Sequence, residues 1–313
     1  MKAILLLGPT GTGKTSLALR LCKEFEGLIV SVDSRQVYKH MDVGTGKIRD
    51  NNVRIQKGNG WWKVNNLKIY GFDIITPDTT FSSFDFLKYV SSLNLVKFNK
   101  PVFFVGGTGF YFDCLLGNVR LSGVEKNTKL RLDLEKQNRE ELNAKLKEID
   151  PIRAGSIDSK NKVRLIRAIE ISIGRNTSPK EVREQFSLLT YLIAQDPLLL
   201  GLTGHRALLY QRADAWVDSI FDTSLMEEVT MLEQLGFGQS LPVRGLIYKS
   251  AISFVKGELS KKHAVERAKF DLHAYIRRQQ TYFGKMKGIN WLDISENGFD
   301  NKISTLVQSY LDG

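Results

Sequence analysis

The feature that most constrains the fold of this chain is a glycine-rich loop between an apolar run and a helical pattern, close to the first residue. The run AILLLG (residues 3–8) predicts a buried strand, and KTSLALRLCKEF (residues 14–25) is apolar at helical spacing. Backbone N–H groups of such a loop turn inward around anionic oxygens, and the helix N-terminus adds a partial positive charge. The pattern G-x-x-x-x-G-K-[ST] is filled by Gly8, Gly13, Lys14 and Thr15. The loop predicts a bound phosphate chain, although it does not identify a reaction.

The same loop supplies the candidate phosphate and metal ligands. Lys14 is expected to neutralise phosphate oxygens, and the Thr15 hydroxyl is expected to ligate Mg²⁺. The predicted phosphate-binding residues are Gly8, Pro9, Thr10, Gly11, Thr12, Gly13, Lys14 and Thr15.

Two later segments repeat the first half of this pattern, a buried strand that opens into a polar or glycine-rich loop. They are LIVSVDS (residues 28–34) and PVFFVGGTG (residues 101–109). Together the segments predict an α/β fold, a P-loop NTPase-like parallel sheet with flanking helices. Ligands of such sheets bind beyond the carboxyl ends of the strands, so residues 8–15, 33–36 and 106–109 are expected to converge on one crevice.

Asp33 ends the second of these strands and should face the crevice. Its position allows three roles: a Mg²⁺ ligand, a general base, or a cap for the following turn. Position alone does not decide among them.

The pattern changes near residue 120, where strands largely stop and amphipathic helical segments begin. We predict a P-loop core made of residues 1–119 and 191–313, with a helical insertion at residues 120–190. The segment LLTYLIAQDPLLLGLTG (residues 188–204) reads as a strand that returns to the main sheet or its edge, followed by helices to about residue 285.

The chain carries a formal net charge of +11, which favours a polyanionic partner. Residues 241–290 contain eleven Lys and Arg against three Asp and Glu, and residues 120–190 contain sixteen against eleven. Charge alone fits a nucleic-acid footprint and a pair of solvated helix faces equally well.

The remaining composition favours a cytoplasmic protein. The two cysteines, Cys22 and Cys114, lie far apart and have no metal-ligand spacing around them, so neither a disulfide framework nor a zinc site is expected. The first strand starts within three residues of Met1, which we interpret as leaving no room for a signal peptide. No apolar run reaches the ~18 residues of a membrane span.

Five blocks, in this order and spread over most of the chain, resemble the tRNA dimethylallyltransferases, also called tRNA isopentenyltransferases. The blocks are GPTGTGKT, SVDSRQVYKHMDVGTGK, GGTGFY, RLIRAIEI and RRQQTYF. The resemblance implies transfer of a dimethylallyl group from dimethylallyl diphosphate to N6 of the adenosine next to the anticodon, position 37 of the tRNA. The loop would then hold an isoprenoid diphosphate, with Mg²⁺ as the cofactor and the tRNA anticodon stem-loop as the partner. We expect no membrane partner and a monomer.

The resemblance also implies roles for individual residues. Asp33 would orient the amine and take its proton, while Lys14, Thr15 and Arg212 would stabilise the departing diphosphate. The residues expected to contact tRNA are Asp33, Ser34, Arg35, Gln36, Thr108, Arg131, Arg164, Arg167, Arg244, Tyr248, Arg277 and Arg278. For each single arginine, a solvated surface position remains an alternative.

The chain departs from the family's usual residues in several places. Trp216 stands where members usually carry a second arginine that reaches toward the diphosphate, so either Arg212 or His273 would have to supply the charge. Ile247 replaces a usual glycine, Leu272 and His273 replace a Thr-Arg pair, and residues 70–72 replace a histidine-rich stretch.

Three other functions stay open at this point. Prenyl transfer to a free adenine nucleotide would need no basic insertion. A nucleotide kinase or other NTPase that binds ATP is supported by the phosphate loop alone. A catalytically impaired RNA-binding relative is compatible with Trp216 and His273.

Overall fold

A computed structural model describes residues 1–48, 53–119, 121–124, 126–174 and 185–313. By internal contacts the chain divides into two compact units. Unit 1 comprises Met1–Gly117 and Leu189–Gly313, and unit 2 comprises Asn118–Leu188.

Unit 1 is built on a mixed eight-stranded sheet, in agreement with the predicted α/β class. In chain order the strands are β1 (Ala3–Leu7), β2 (Leu28–Ser31), β3 (Ile55–Gly58), β4 (Trp61–Val64), β5 (Leu67–Tyr70), β6 (Val102–Gly106), β7 (Leu198–Thr203) and β8 (Asn290–Asp293). Their order across the sheet is β3-β4-β5-β2-β6-β1-β7-β8.

The centre of the sheet is parallel and fully buried. Strand β1 lies between β6 and β7, with Ile4 opposite Phe103 on one side and Leu198 on the other. All five residues of β1 and of β6 are buried, which explains why both segments read as continuous apolar runs. The parallel register places the carboxyl ends of β1, β2 and β6 at one edge of the sheet.

Two features of the sheet differ from the sequence expectation. Strands β3, β4 and β5 pair antiparallel and extend the sheet beyond β2, and no prediction was made for β3 or β4. The predicted strand at residues 188–204 is wrong in its first half. Ser187–Ala194 is a helix, and only Leu198–Thr203 pairs with β1, because Pro197 separates two apolar runs that periodicity alone read as one.

Helices flank the sheet and form the rest of unit 1. In chain order they are α1 (Lys14–Glu24), α2 (Ser83–Ser92) and α3 (Gly109–Leu115), with a 3₁₀ turn at Leu95–Phe98. Unit 2 contains α4 (Thr128–Glu135), α5 (Arg139–Ile149), α6 (Pro151–Ser156) and α7 (Lys162–Ile173). The remaining helices are α8 (Ser187–Ala194), α9 (Arg206–Ile220), α10 (Thr223–Gln234), α11 (Ile247–Val255), α12 (Lys261–Phe283) and α13 (Phe299–Asp312).

Each unit has its own core. In unit 1, the carboxyl-terminal helices α9 to α12 pack around residues such as Leu209, Leu225 and Ile276, and a second cluster joins α1 to the sheet. In unit 2, Leu134, Leu142 and Leu165 form a small separate core. Among the helices that the structure describes, none is both long enough and apolar enough to cross a membrane.

Candidate functional site

A cleft of about 240 Å³ lies where the carboxyl ends of β1, β2 and β6 meet. The three loops that were expected to converge all contribute to its lining, as do the loop that contains Gly46 and the helices α9 and α12. The lining residues are Thr10, Gly11, Gly13, Lys14, Thr15, Ser16, Asp33, Gln36, Thr45, Gly46, Val105, Gly106, Gly107, Arg212, Ala213, Trp216 and Gln279.

The phosphate loop, residues 8–15, forms one end of this cleft. Gly13 caps helix α1 in the left-handed region, with φ +79°, and has no side chain to bond the first N–H groups of the helix. Those amides are therefore available to an anion, as the motif predicts. Gly8, Pro9 and Thr12 do not line the cleft. They shape the loop, since the buried Thr12 hydroxyl donates to the Pro9 carbonyl at 2.8 Å.

Lys14 is held at the mouth of this loop by neutral acceptors. Its Nζ donates to the Pro9 carbonyl at 2.6 Å and lies 3.3 Å from the Thr12 hydroxyl. Burial lowers the pKa of Lys14 to about 8, and the nearby Asp33 carboxylate opposes that shift. The ammonium group of Lys14 is thus hydrogen-bonded to neutral acceptors, and its positive charge favours the binding of an incoming phosphate.

Asp33 lies in the same cleft. Its Oδ1 accepts the Arg35 backbone N–H at 2.8 Å. Burial raises the pKa of Asp33, although that hydrogen bond and the charges of Arg35 and Lys14 partly offset the rise. Asp33 therefore caps the following turn through one oxygen, and its raised pKa makes the carboxylate a stronger proton acceptor than an exposed aspartate.

The residues after Asp33 connect the cleft to β6. Thr108 Oγ1 accepts the Ser34 backbone N–H at 3.0 Å, so the ends of β2 and β6 are held together beside the cleft. Gln36 lines the cleft and accepts a hydrogen bond from the Ser31 hydroxyl at 2.7 Å. Neither Ser34 nor Thr108 is part of the cleft lining.

Gln279 is a residue whose position in the cleft the sequence did not indicate. Its side chain is 5% exposed, and its Oε1 accepts the Thr10 backbone N–H at 2.9 Å and the Thr10 hydroxyl at 3.2 Å. Its Nε2 donates to the Gly107 carbonyl at 3.0 Å. A Cβ at Gly107 would lie 2.3 Å from that nitrogen, so only glycine permits the contact. The amide of Gln279 therefore joins helix α12, the phosphate loop and the end of β6.

Helix α9 supplies a cation and an aromatic ring to the cleft. Arg212 Nη1 lies 3.5 Å from the Gly11 carbonyl oxygen, and Trp216 follows one turn later. His273 is outside the cleft lining. Its Nε2 lies 2.7 Å from Asp214 Oδ1, and its ring stacks on Tyr210 with the centroids 3.8 Å apart. Of the two candidates for the missing charge, Arg212 is the one at the cleft.

Tyr248, which was predicted to contact RNA, is buried in this structure. Its side chain is 1% exposed, and its hydroxyl donates to Glu228 Oε1 at 2.7 Å. The ring packs against Gly44, so the tyrosine belongs to the support of the loop that lines the cleft. An apolar-aromatic pattern cannot separate such a buried position from an exposed one, because both fit the same helix.

Glu228, which no motif indicated, is the second support of that loop. Its Oε2 accepts the backbone N–H groups of Asp42 and Val43, both at 2.7 Å, and its Oε1 accepts that of Gly44 at 3.1 Å. The sequence signal that could have indicated this role is a glutamate at helical spacing among the buried apolar residues of α10.

Of the four other arginines of unit 1 that were predicted to contact tRNA, two donate hydrogen bonds within the protein and two are exposed. Arg35 Nη1 donates to the Pro242 carbonyl at 2.7 Å, and Arg277 Nη1 donates to the Tyr210 hydroxyl at 2.9 Å. Arg244 and Arg278 are exposed. An RNA contact remains a prediction for all four.

In unit 2, Arg131 and Arg167 are engaged by one buried carboxylate. Glu170 is 1% exposed, and Arg131 donates to it at 2.9 and 2.6 Å while Arg167 also pairs with it. The Asn127 backbone N–H adds a bond of 2.6 Å. Burial alone would raise the pKa of Glu170, but these donors lower it to about 2. Arg164 is exposed, whereas Arg167, the other arginine of RLIRAIEI, is paired with Glu170.

Comparison with known proteins covers nearly the whole chain. A sequence profile described as IPP transferase matches residues 36–286, and one described as isopentenyl transferase matches residues 1–66. A protein named tRNA dimethylallyltransferase from Acetivibrio thermocellus is 35% identical, over 98% of this chain and 96% of that protein.

Solved structures agree with this match. The tRNA delta(2)-isopentenylpyrophosphate transferase of Staphylococcus epidermidis superposes with a TM-score of 0.67 at 29% identity, over 99% of this chain and 100% of that chain. A eukaryotic dimethylallyltransferase acting on tRNA has a TM-score of 0.78 at 20% identity, over 100% and 80% of the two chains, which shows likeness of fold alone. The matched ranges together run from residue 1 to residue 286, and this chain belongs to the IPP transferase family.

Proposed function

We propose that this protein transfers a dimethylallyl group from dimethylallyl diphosphate to N6 of the adenosine next to the anticodon of tRNA. The observation that carries the proposal is the meeting of the phosphate loop and Asp33 in one cleft of about 240 Å³. An anion-binding loop and a carboxylate with a raised pKa are the two groups that this reaction needs.

The reaction breaks the bond between C1 of the allyl group and the diphosphate oxygen, and the diphosphate departs with the electron pair. The loop amides, Lys14 and Arg212 stabilise the negative charge that accumulates on it. The N6 amine then bonds to C1, and its proton passes to the Asp33 carboxylate. The products are prenylated adenosine, diphosphate and protonated Asp33.

The residues at this end of the cleft also fit Mg²⁺. Mg²⁺ usually takes one or two protein oxygens and completes its shell with waters and phosphate oxygens. Thr15, Ser16 and Asp33 all line the cleft, whereas the described residues contain no cluster of three or more His, Cys, Asp or Glu that could hold a metal. We propose that Thr15 holds the ion, which supplies positive charge to the leaving oxygens.

The acceptor is proposed to be RNA because each of the two units carries exposed arginines. Arg244 and Arg278 of unit 1 and Arg164 of unit 2 are exposed, which suits contacts to backbone phosphates. An adenosine must leave its stack to reach Asp33, at a cost of a few kcal/mol that such contacts would offset. We propose that a monomer is active, since the cleft of a single chain already contains the phosphate loop, Asp33 and Arg212.

The test is incubation with dimethylallyl diphosphate, Mg²⁺ and unmodified tRNA, followed by mass analysis of the tRNA. The expected gain is one C5H8 unit per tRNA, and an excess of AMP should not reduce it. Asp33→Asn should lower the rate by a factor of about 100 or more, whereas Asp312→Asn, at the exposed end of α13, should not change it. Prenylation of AMP in preference to tRNA, or an unchanged rate with Asp33→Asn, would overturn the proposal.

A further inference from the structure

Trp216 stands out because it is the only aromatic residue among the described residues that line the cleft. Of the lining residues in the described part of the chain, only Val105, Ala213 and Trp216 have apolar side chains. Val105 is almost fully buried and Ala213 offers a single methyl group, so the half-buried indole of Trp216 is the one large apolar side chain among these lining residues. A five-carbon chain held in this cleft needs apolar contact, because binding sites bury most of a ligand's surface.

The position of Trp216 relative to Arg212 fits the two parts of a prenyl diphosphate. The two residues are four apart on α9, so their side chains lie on one face with Cβ atoms about 5–6 Å apart. Arg212 lies next to the phosphate loop at Gly11. Trp216 lies beside the loop that contains Gly46, where its Cζ2 is 3.5 Å from the position that a Cβ of Gly46 would take. Successive turns of one helix thus offer a cation and then an aromatic ring.

We infer that Trp216 forms the wall against which the isoprenoid chain of the donor packs, and that its bulk limits the donor to five carbons. This inference rests on the proposed function and names the residue that selects the donor. The ring face also favours a positive charge developing on the allylic carbon as the C1–oxygen bond breaks. Where family members usually carry a second arginine, the indole of Trp216 offers an apolar surface for the isoprenoid chain.

The experiment compares dimethylallyl diphosphate, geranyl diphosphate and inorganic pyrophosphate as ligands, by calorimetric titration in the presence of Mg²⁺ and without tRNA. Trp216→Ala should weaken dimethylallyl diphosphate binding about 10- to 100-fold, the range expected for loss of a buried aromatic contact. Pyrophosphate binding should stay within about twofold, because the phosphate loop is untouched. Geranyl diphosphate should gain affinity relative to the five-carbon donor.

Two further variants keep the inference falsifiable if Trp216→Ala fails to fold. Trp216→Phe should retain most of the preference for dimethylallyl diphosphate over pyrophosphate, and Trp216→Arg should lose that preference while binding pyrophosphate more tightly. Trp291→Phe, on β8 and outside the cleft lining, is the matched control. An equal loss of affinity for pyrophosphate and donor, or an unchanged donor affinity in both Trp216→Ala and Trp216→Arg, overturns the inference. Because these are binding measurements, failure to prenylate tRNA would count against the proposed function alone.

Discussion

Removal of the Gln279 amide is expected to weaken both the fold and diphosphate binding. In Gln279→Leu the side chain keeps a similar volume but loses three hydrogen bonds, two to Thr10 and one to Gly107. The Gly107 carbonyl is buried and would be left without its donor, at about 1–3 kcal/mol, while the partly exposed Thr10 groups can turn to water and cost less. We expect the free energy of unfolding to fall by about 2–4 kcal/mol.

Urea unfolding and pyrophosphate titration measure the two effects. Pyrophosphate affinity should fall because the phosphate loop loses its tether, and it should fall further, by about tenfold, in Gln279→Glu, which adds a negative charge to the cleft. Gln280→Leu is the matched control. The Oε1 atom of Gln280 is buried and has no hydrogen-bond partner among the described residues, so its removal should be neutral or stabilising. If Gln279→Leu and Gln280→Leu unfold at the same urea concentration, the hydrogen bonds of Gln279 to Thr10 and Gly107 do not stabilise the fold as argued.

Three further predictions concern charged groups. Glu228→Ala should lower the free energy of unfolding by about 3–5 kcal/mol and weaken donor binding, because the backbone N–H groups of Asp42, Val43 and Gly44 lose their acceptor. Unchanged urea unfolding would refute this prediction. Burial lowers the pKa of Lys14 to about 8, so a bound anion should raise this pKa again. Calorimetry at pH 8.5, in buffers of different ionisation enthalpy, should therefore detect proton uptake when pyrophosphate binds. Binding without proton uptake would contradict this prediction. The lowered pKa of Glu170, about 2 against 4.5, implies about 3 kcal/mol of stability that is present above pH 4.5 and lost as pH falls toward 2; Glu170→Gln should show a weaker acid dependence in thermal unfolding between these pH values.

Much of the fold could be predicted from short segments of the sequence, because burial of a whole strand and the shape of the phosphate loop are each recorded in consecutive residues. A buried parallel strand must be apolar throughout, which makes β1 and β6 visible as runs, and the phosphate loop is defined by glycine spacing over eight residues. The hairpin strands β3 and β4 were missed because each has only four residues, too few for an alternating pattern to identify a strand. The helix Ser187–Ala194 was misread because an eight-residue apolar segment fits both a strand and a buried helix.

The sequence by itself determined the phosphate loop, the central strands and the meeting of their carboxyl ends, since each depends on neighbours in the chain and on the geometry common to parallel sheets. Only the tertiary structure decided which distant side chains complete the cleft. Gln279 reaches the phosphate loop at Thr10 from a helix 269 residues later in the chain, and Tyr248 is buried, where it donates to Glu228. Such contacts depend on how helices pack against the sheet, and the helical period alone does not specify that packing.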